Sequence, residues 1–491
     1  MKKSGKTSDH SISFYLNSEL ITLEEVGAND TLLNLLRVEC RLSGTKEGCA
    51  EGDCGACTVL IGKVKAGCLE YNAVNSCICL LPSLQASHVV TIEFLQKVDG
   101  KLHPVQQAMI DYNGSQCGFC TPGIVMAVYA HWLKSSEMGA HNIEKMLQGN
   151  LCRCTGYGPI INAVKSIKDY GYVENDYLVR NLENMKSNLL ALTEKKVKLG
   201  SKMQDQFIRP YSLNNFADLL KQNSEATIVA GATDVGLWIT KDLRRLTPLI
   251  FIDHLEEIQQ IEENENTIEL GAGVTYTRLE TTLCNHYPKL NSYLSRIAGE
   301  QIRNVGTVGG NIANGSPIGD LAPLFIALGA RLFLRKGKKS RKIDLEKFFI
   351  EYGVQDIAKT ELIEKIVLLK NPALQLFPYK VSKRRDEDIS TIAAVFSFEL
   401  SEGILRNVRL AFGGMAGIPK RASTAEAVLE GRVFDKNIVK LARLALEEDF
   451  DPISDMRASS GYRMTVAKNL LSKCYLEFNG RVSNEREMFS A

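Results

Sequence analysis

The chain has 491 residues, of which 45% are hydrophobic and 24% charged, with Lys+Arg 59 against Asp+Glu 57. This is globular composition: it excludes disordered, collagenous and low-complexity chains, and at roughly 100–200 residues per domain it predicts three or four domains. A formal charge of +2 gives no global electrostatic case for nucleic acid or an acidic membrane, and no apolar run approaches the ~18 residues of a membrane span.

The first ten residues, MKKSGKTSDH, are basic with no apolar stretch behind them, which predicts no secretory signal and a cytoplasmic protein. In 11–95, SISFYLN and LITLEEV read as a hairpin. DTLLNLLRVE reads as a helix capped by Asp30. Residues 96–172 read as an all-helical module. HPVQQAMIDYNG, PGIVMAVYAHWLKS, HNIEKMLQGN and GPIINAVKSIKDYG are its four segments, with Pro near two starts and Gly or Asn at two ends. Residues 173–205 are polar and read as a surface linker with room for one helix. From 206 to 375 the pattern is mixed α/β: NNFADLLKQ is helical, ATIVAGATD, LIFIDH and TIELGAG are strands, and LAPLFIALGARLFLR is a helix and then a strand. In 376–480, DISTIAAVFSFEL and ILRNVRLAFGG are strands, and TAEAVLE and NIVKLARLALEE are helices.

Of 13 cysteines, eleven lie between Cys40 and Cys154. A large chain without a signal is a poor disulfide scaffold, so clustering points to metal or redox chemistry. Cys49, Cys54 and Cys57 have C-x4-C-x2-C spacing, that of plant-type [2Fe–2S] ferredoxins, which draw a fourth thiolate from further along. Gly44, Gly48, Gly52 and Gly55 let such a loop turn sharply and aim N–H groups at the sulfurs. Cys77 and Cys79 are the candidates for the fourth ligand. Cys40 and Cys68 fall outside the pattern and read as ordinary thiols. The second set is Cys117 and Cys120, then Cys152 and Cys154, each pair before a helix whose N-terminus favours thiolates. Four such thiolates suit zinc as well as an iron cluster, and the neighbouring ferredoxin-like loop favours iron.

Two glycine-bearing turns follow. VAGATD runs from a strand into small residues, and GTVGGN repeats the theme; each lets backbone N–H groups approach a pyrophosphate. Neither is G-x-G-x-x-G, so no Rossmann site is expected. His88, His103 and His131 read as ordinary core or surface residues, and RKGKKSRK (335–342) as a solvated hairpin turn.

CAEGDCGAC…NSC followed by CGFCTPG…GNLCRCTGY resembles the two-cluster region of the molybdenum hydroxylases. VAGATDVG, IRNVGTVGGNIANGSPIGDLAP and KRRDEDIS resemble the flavin segments of the same family. The resemblance covers essentially 11–480. It implies an α+β multidomain fold: a β-grasp ferredoxin-like domain, a four-helix [2Fe–2S] domain, a two-part α/β FAD-binding domain and a C-terminal α/β domain. The N-x-C motif falls on Asn75–Cys77 and makes Cys77 the better fourth ligand. The first flavin loop maps to Ile228, Val229, Ala230, Gly231, Ala232, Thr233, Asp234 and Val235. The second maps to Thr307, Val308, Gly309, Gly310 and Asn311. The resemblance adds Asp320, Ile363 and Lys380 as flavin contacts, and Ile297 where animal enzymes place a Phe against the flavin ring.

The domain order, ending at Ala491 without a molybdopterin domain, is similar to the small subunit of a bacterial two-subunit xanthine dehydrogenase. This implies an electron-transfer subunit that passes electrons from molybdenum on a partner chain through two [2Fe–2S] clusters to FAD and then NAD⁺, with no catalytic side chain of its own. A molybdopterin-binding large subunit is the implied partner, in a heterotetramer of two heterodimers. The alternatives are the same subunit serving an aldehyde, an N-heterocycle or a non-nicotinamide acceptor, and a non-catalytic cluster-binding or assembly protein.

Overall fold

A computed structural model describes residues 11–96, 101–134, 140–193, 198–202 and 205–481. The basic N-terminus, read above as carrying no secretory signal, lies outside the described residues, as do 194–197 and 203–204 of the expected linker. The chain divides into two compact units, residues 1–257 with 298–306, and 258–297 with 307–491.

The first unit opens with a five-stranded sheet. Its strands are β1 (Ile12–Leu16), β2 (Glu19–Leu23), β3 (Thr58–Lys65), β4 (Cys68–Asn75) and β5 (His88–Val90), in the order β2-β1-β5-β3-β4. β1 and β2 form the expected antiparallel hairpin, and β1 runs parallel to β5. In β1 the period of two buries Ile12, Phe14 and Leu16 together. The expected helix after it is short: three α-helical residues, Leu32–Asn34, run into a π-turn, Leu35–Glu39. Its cap is Thr31 and not Asp30. Thr31 is the extended residue, and its hydroxyl accepts from the Asn34 N–H at 3.3 Å. The Asp30 carboxylate is already engaged by the Gly27 N–H at 3.0 Å and Lys202 Nζ at 3.1 Å.

Four helices follow where the segments predict them: Pro104–Asp111, Thr121–Trp132, Ala140–Leu147 and Gly158–Ser166. Val105, Met109, Ile124, Val128, Ile143 and Ile160 form their core, shared with Leu60, Tyr71 and Val90 of the sheet. In 173–205 the structure places helices Tyr177–Arg180 and Leu182–Ala191 and strand β6 (Lys198–Lys202). Leu178 and Leu189, buried in the helical core, explain why a lysine-rich stretch stays folded. β6 pairs with β7 (Asp205–Arg209) in a sheet ordered β6-β7-β9-β8, with β8 (Thr227–Val229) and β9 (Leu249–Phe251). Phe207, Val229 and Leu249 belong to the same apolar cluster as Ile12, Phe14 and Val59.

The second unit holds two larger sheets. One has the order β10-β11-β16-β12-β13: β10 (Ile261–Glu263), β11 (Thr267–Gly271), β12 (Arg331–Lys336), β13 (Lys339–Asp344) and β16 (Leu362–Leu369). The small pair β14 (Phe349–Glu351) and β15 (Val354–Gln355) lies between β13 and β16 in sequence. The other sheet has the order β17-β18-β19-β20: β17 (Gln375–Val381), β18 (Ile392–Ser401), β19 (Ile404–Gly413) and β20 (Lys420–Arg421). The basic run 335–342 is the β12–β13 turn, with Gly337 at φ +58°. Ser460–Phe478, a 19-residue helix that the sequence reading did not single out, closes the unit. Its pattern is masked by buried Arg463, whose guanidinium is held by Asp455 at 2.8 Å. Among the described residues no helix is long and apolar enough to cross a membrane.

Candidate functional site

The first cysteine loop is built on backbone that few side chains tolerate. Ala50, Gly52 and Gly55 have φ of +56°, +81° and +67°, and such turns direct successive N–H groups to one side. The Cys54 N–H donates to Cys49 Sγ at 3.4 Å. A Cβ on Gly48 would stand 2.8 Å from Cys54 Sγ. Asn75, at the end of β4, donates from Nδ2 to the Gly52 carbonyl at 2.6 Å, and Ser76 Oγ donates to the Cys57 carbonyl at 2.8 Å. These two contacts carry Cys77 to the loop.

Cys77 shares side-chain hydrogen bonds with Cys49 and Cys57, and Cys49 with Cys54. The hydrogen bonds from Cys54 and Cys77 hold the Cys49 thiol below its ordinary range, and that from Cys77 does the same for Cys57. Cys54 and Cys77, the donors, are pushed up by the same contacts and by burial. Cys79 has different surroundings: its Sγ lies 3.7 Å from Ser83 Oγ, and burial pushes its thiol up to about 11.

In the second set, Cys117 Sγ and Cys154 Sγ are 3.6 Å apart and exposed. Cys120 and Cys152 share a side-chain hydrogen bond, and Cys120 is the residue before helix Thr121–Trp132. The Phe119 N–H and Cys154 hold the Cys117 thiol low. Burial opposes ionisation of Cys152, yet the Thr155 hydroxyl, 3.1 Å away, and its N–H bring that thiol below its ordinary value. Tyr157 sits in the left-handed region at φ +66°. Its hydroxyl accepts from the Cys152 N–H at 2.8 Å and donates to the Asn150 carbonyl at 3.2 Å, which closes the C-x-C turn. Among the described residues no three His, Cys, Asp or Glu side chains are arranged to hold a single metal ion. The donor chemistry of both sets fits an iron–sulfur cluster, with four thiols in each.

Of the flavin-type segments, the first lies in the first unit. β8 ends at Val229 and the chain turns at Ala232, φ +57°. A Cβ on Gly231 would stand 1.9 Å from the Val305 carbonyl oxygen. Burial, then Asp242, raises the Asp234 carboxyl. The second segment lies in the other unit. Thr307 Oγ1 accepts from the Gly310 N–H at 3.1 Å, and the Val308 and Gly309 N–H groups donate to Val274 and Ala272 at 2.9 and 2.8 Å. A Cβ on Gly309 would stand 2.5 Å from that of Ala272. Asn311 Oδ1 is buried with no hydrogen-bond partner. A small-residue cradle with an open polar atom fits a bound polar group.

Lys380 Nζ meets Asp320 Oδ2 at 2.7 Å and Ser390 Oγ at 2.8 Å, and the Ser390 hydroxyl donates to Asp320 Oδ1 at 2.5 Å. Tyr293 donates to the Asp320 carbonyl and Arg296 to the Lys380 carbonyl. Ile297 and Ile363 are buried in the apolar core of this unit. Ser390, Tyr293 and Arg296 were not singled out in the sequence; the segment KRRDEDIS, ending at Ser390, was the available signal. Among the histidines, His88 and His103 are buried, and His131 pairs with Glu300.

Three family models match. The [2Fe-2S] binding domain covers 91–165, the FAD binding domain in molybdopterin dehydrogenase 201–368, and the CO dehydrogenase flavoprotein C-terminal domain 377–478. Xanthine dehydrogenase of Emericella nidulans is 31% identical over 90% of this chain and 37% of its own length. That of Drosophila pseudoobscura pseudoobscura is 30% identical over 98% and 40%. The chain thus spans about two fifths of these relatives. Among solved structures, a carbon monoxide dehydrogenase from Hydrogenophaga pseudoflava that lacks the Mo-pyranopterin moiety is 25% identical, with TM-score 0.53, and covers 56% of this chain and 98% of its own. A reconstituted CO dehydrogenase from Oligotropha carboxidovorans matches at the same identity and TM-score. With these three domains in this order and these relatives, the chain belongs to the molybdenum hydroxylase family, as an electron-transfer module of iron–sulfur and FAD domains.

Proposed function

We propose that this module is the electron-transfer subunit of an NAD-linked xanthine dehydrogenase in the cytoplasm. Its partner is a molybdopterin-binding large subunit, and the assembly is a closed pair of heterodimers. The observation that carries the reading is the union of two four-cysteine sets in one unit, where the Leu151 N–H, next to Cys152, donates to the Cys54 carbonyl at 3.0 Å. The relatives named xanthine dehydrogenase support the choice of substrate. When bound, two clusters supply one-electron transfer and FAD supplies hydride exchange with NAD⁺.

The chain's own residues bind and orient. Cys49, Cys54, Cys57 and Cys77 hold the first cluster, and Cys117, Cys120, Cys152 and Cys154 the second. Ile228–Val235 give backbone N–H groups to FAD; Thr307–Asn311, whose Val308, Gly309 and Gly310 N–H groups are taken by Val274, Ala272 and Thr307, give it a small-residue surface and the Asn311 Oδ1 acceptor. Asp320 and Lys380, locked to each other, give FAD a fixed polar contact, and Ile297 and Ile363 give it apolar ones. The domains run 11–95, 96–172, 206–375 and 376–480, with 173–205 between the iron–sulfur and flavin parts.

The test is the purified chain. Its visible spectrum and iron content should report two [2Fe–2S] clusters and one FAD. It should oxidise NADH with an artificial dye and leave xanthine untouched until the large subunit is added. Bound flavin that is silent toward NADH would remove NAD⁺ as the acceptor. Xanthine turnover by this chain alone would overturn the subunit assignment.

A further inference from the structure

The two cysteine sets meet at a buried amide. Asn150 Nδ2 donates to the Gly55 carbonyl at 3.0 Å and lies 3.4 Å from Thr58 Oγ1. Gly55 stands between Cys54 and Cys57, and Asn150 stands two residues before Cys152. Asn150 Oδ1 accepts from Gln301 Nε2 at 2.8 Å, and the same Nε2 is 3.2 Å from Thr58 Oγ1. Asn150, Gln301 and Thr58 are each 1% exposed. The backbones are in contact here: a Cβ on Gly55 would stand 2.0 Å from the Gly149 carbonyl oxygen. Gln301 comes from Ala298–Gly306, the short stretch of later sequence that belongs to the first unit.

We propose that Asn150 is a positioning residue that fixes the separation of the two clusters, and that Gln301 fixes Asn150. The proposal rests on the reading of both cysteine sets as cluster ligands. Only a carboxamide meets the geometry, because one end must donate to Gly55 while the other accepts from Gln301. A buried donor or acceptor that loses its partner is costly, so the amide is locked in one orientation. Beside it, the Leu151 N–H donates to the Cys54 carbonyl, so one hydrogen bond joins the main chain of the ligand Cys54 to the residue preceding the ligand Cys152. With both clusters bound, one electron crossing this junction would oxidise one and reduce the other, at a rate that would depend on the separation that Asn150 sets.

The test uses the full chain, reconstituted with iron and sulfide and then reduced. Asn150→Asp keeps shape and acceptor and removes the donor; Gln301→Glu removes the other donor. Asn150→Ser keeps the site neutral in case a buried carboxylate prevents folding. Iron content and electron paramagnetic resonance count the clusters. The magnetic splitting between them reads their separation, and freeze-quenching after partial reduction reads the rate of redistribution. The variants should keep their iron and both signals, with a broadened splitting and redistribution slowed by roughly tenfold or more, on the scale by which ~1 Å misplacements slow reactions between positioned groups. Unchanged splitting and rate in every variant that folds would overturn the role, and so would outright loss of one cluster, which would make Asn150 merely structural. A wild-type chain without two [2Fe–2S] signals would refute the ligand reading instead, before any variant is compared.

Discussion

Cys77 and Cys79 stand two positions apart and face different partners: Cys77 joins the hydrogen bonds of Cys49 and Cys57, while Cys79 Sγ lies against Ser83 Oγ at 3.7 Å. Cys77→Ser should therefore abolish the ferredoxin-type paramagnetic signal and leave the other intact. Cys79→Ser should leave both. The opposite pattern would make Cys79 the ligand.

Gly231→Ala should strip the flavin without touching the iron. The added methyl would stand 1.9 Å from the Val305 carbonyl oxygen, closer than any real contact, so the turn at Ala232 must move. Absorbance at the flavin maximum against iron content measures this. Retained FAD would mean that the turn does not shape its site.

Lys380 and Asp320 are both buried and meet at 2.7 Å. Asp320→Asn keeps an acceptor but leaves the buried ammonium without its counter-charge, which should cost about 3–5 kcal/mol. Adding Lys380→Met should recover part of the loss. Thermal melting of both variants checks the sign; a double variant no better than the single one would show that the pair is not coupled.

Burial holds the His88 imidazole down to about 4, against about 6.5 when free. The folded chain thus takes up this proton less readily than the unfolded one. Stability is whole above ~6.5 and declines as the pH falls toward 4, by on the order of 3 kcal/mol. His88→Gln loses the bonds to Tyr71 OH and the Asn17 carbonyl, each 2.7 Å, so it should be weaker at neutral pH. Its urea midpoint should nevertheless change less between pH 7 and 4.5 than that of the wild type. An equal slope would assign the acid response elsewhere.

The cysteine sets and flavin turns were legible because their chemistry is local: spacing, glycines and a following helix lie within a few residues. Spacing alone leaves Cys77 level with Cys79; the N-x-C resemblance favours Cys77, and its physical ground lies in Asn75 and Ser76, whose partners Gly52 and Cys57 are about twenty residues away. Asp30 looked like a cap because its type is right, but Thr31 has the extended backbone that a cap requires. Asn150 was invisible beside the cysteines it serves, since its partners Gly55 and Gln301 are 95 and 151 positions distant. The stretch 173–205 reads as a surface linker with room for one helix because charged and polar residues surround Leu178 and Leu189, the two leucines buried in the core.

Gln301 belongs to a nine-residue excursion, Ala298–Gly306, that completes the first unit from beyond the start of the second. Synthesis from the N-terminus usually lets each domain fold as it emerges. Here a nascent chain that ends near residue 257 still lacks the side chain that engages Asn150 and Thr58. The iron–sulfur part therefore reaches its final packing only after residue 306 has left the ribosome, when translation of the second unit is already under way.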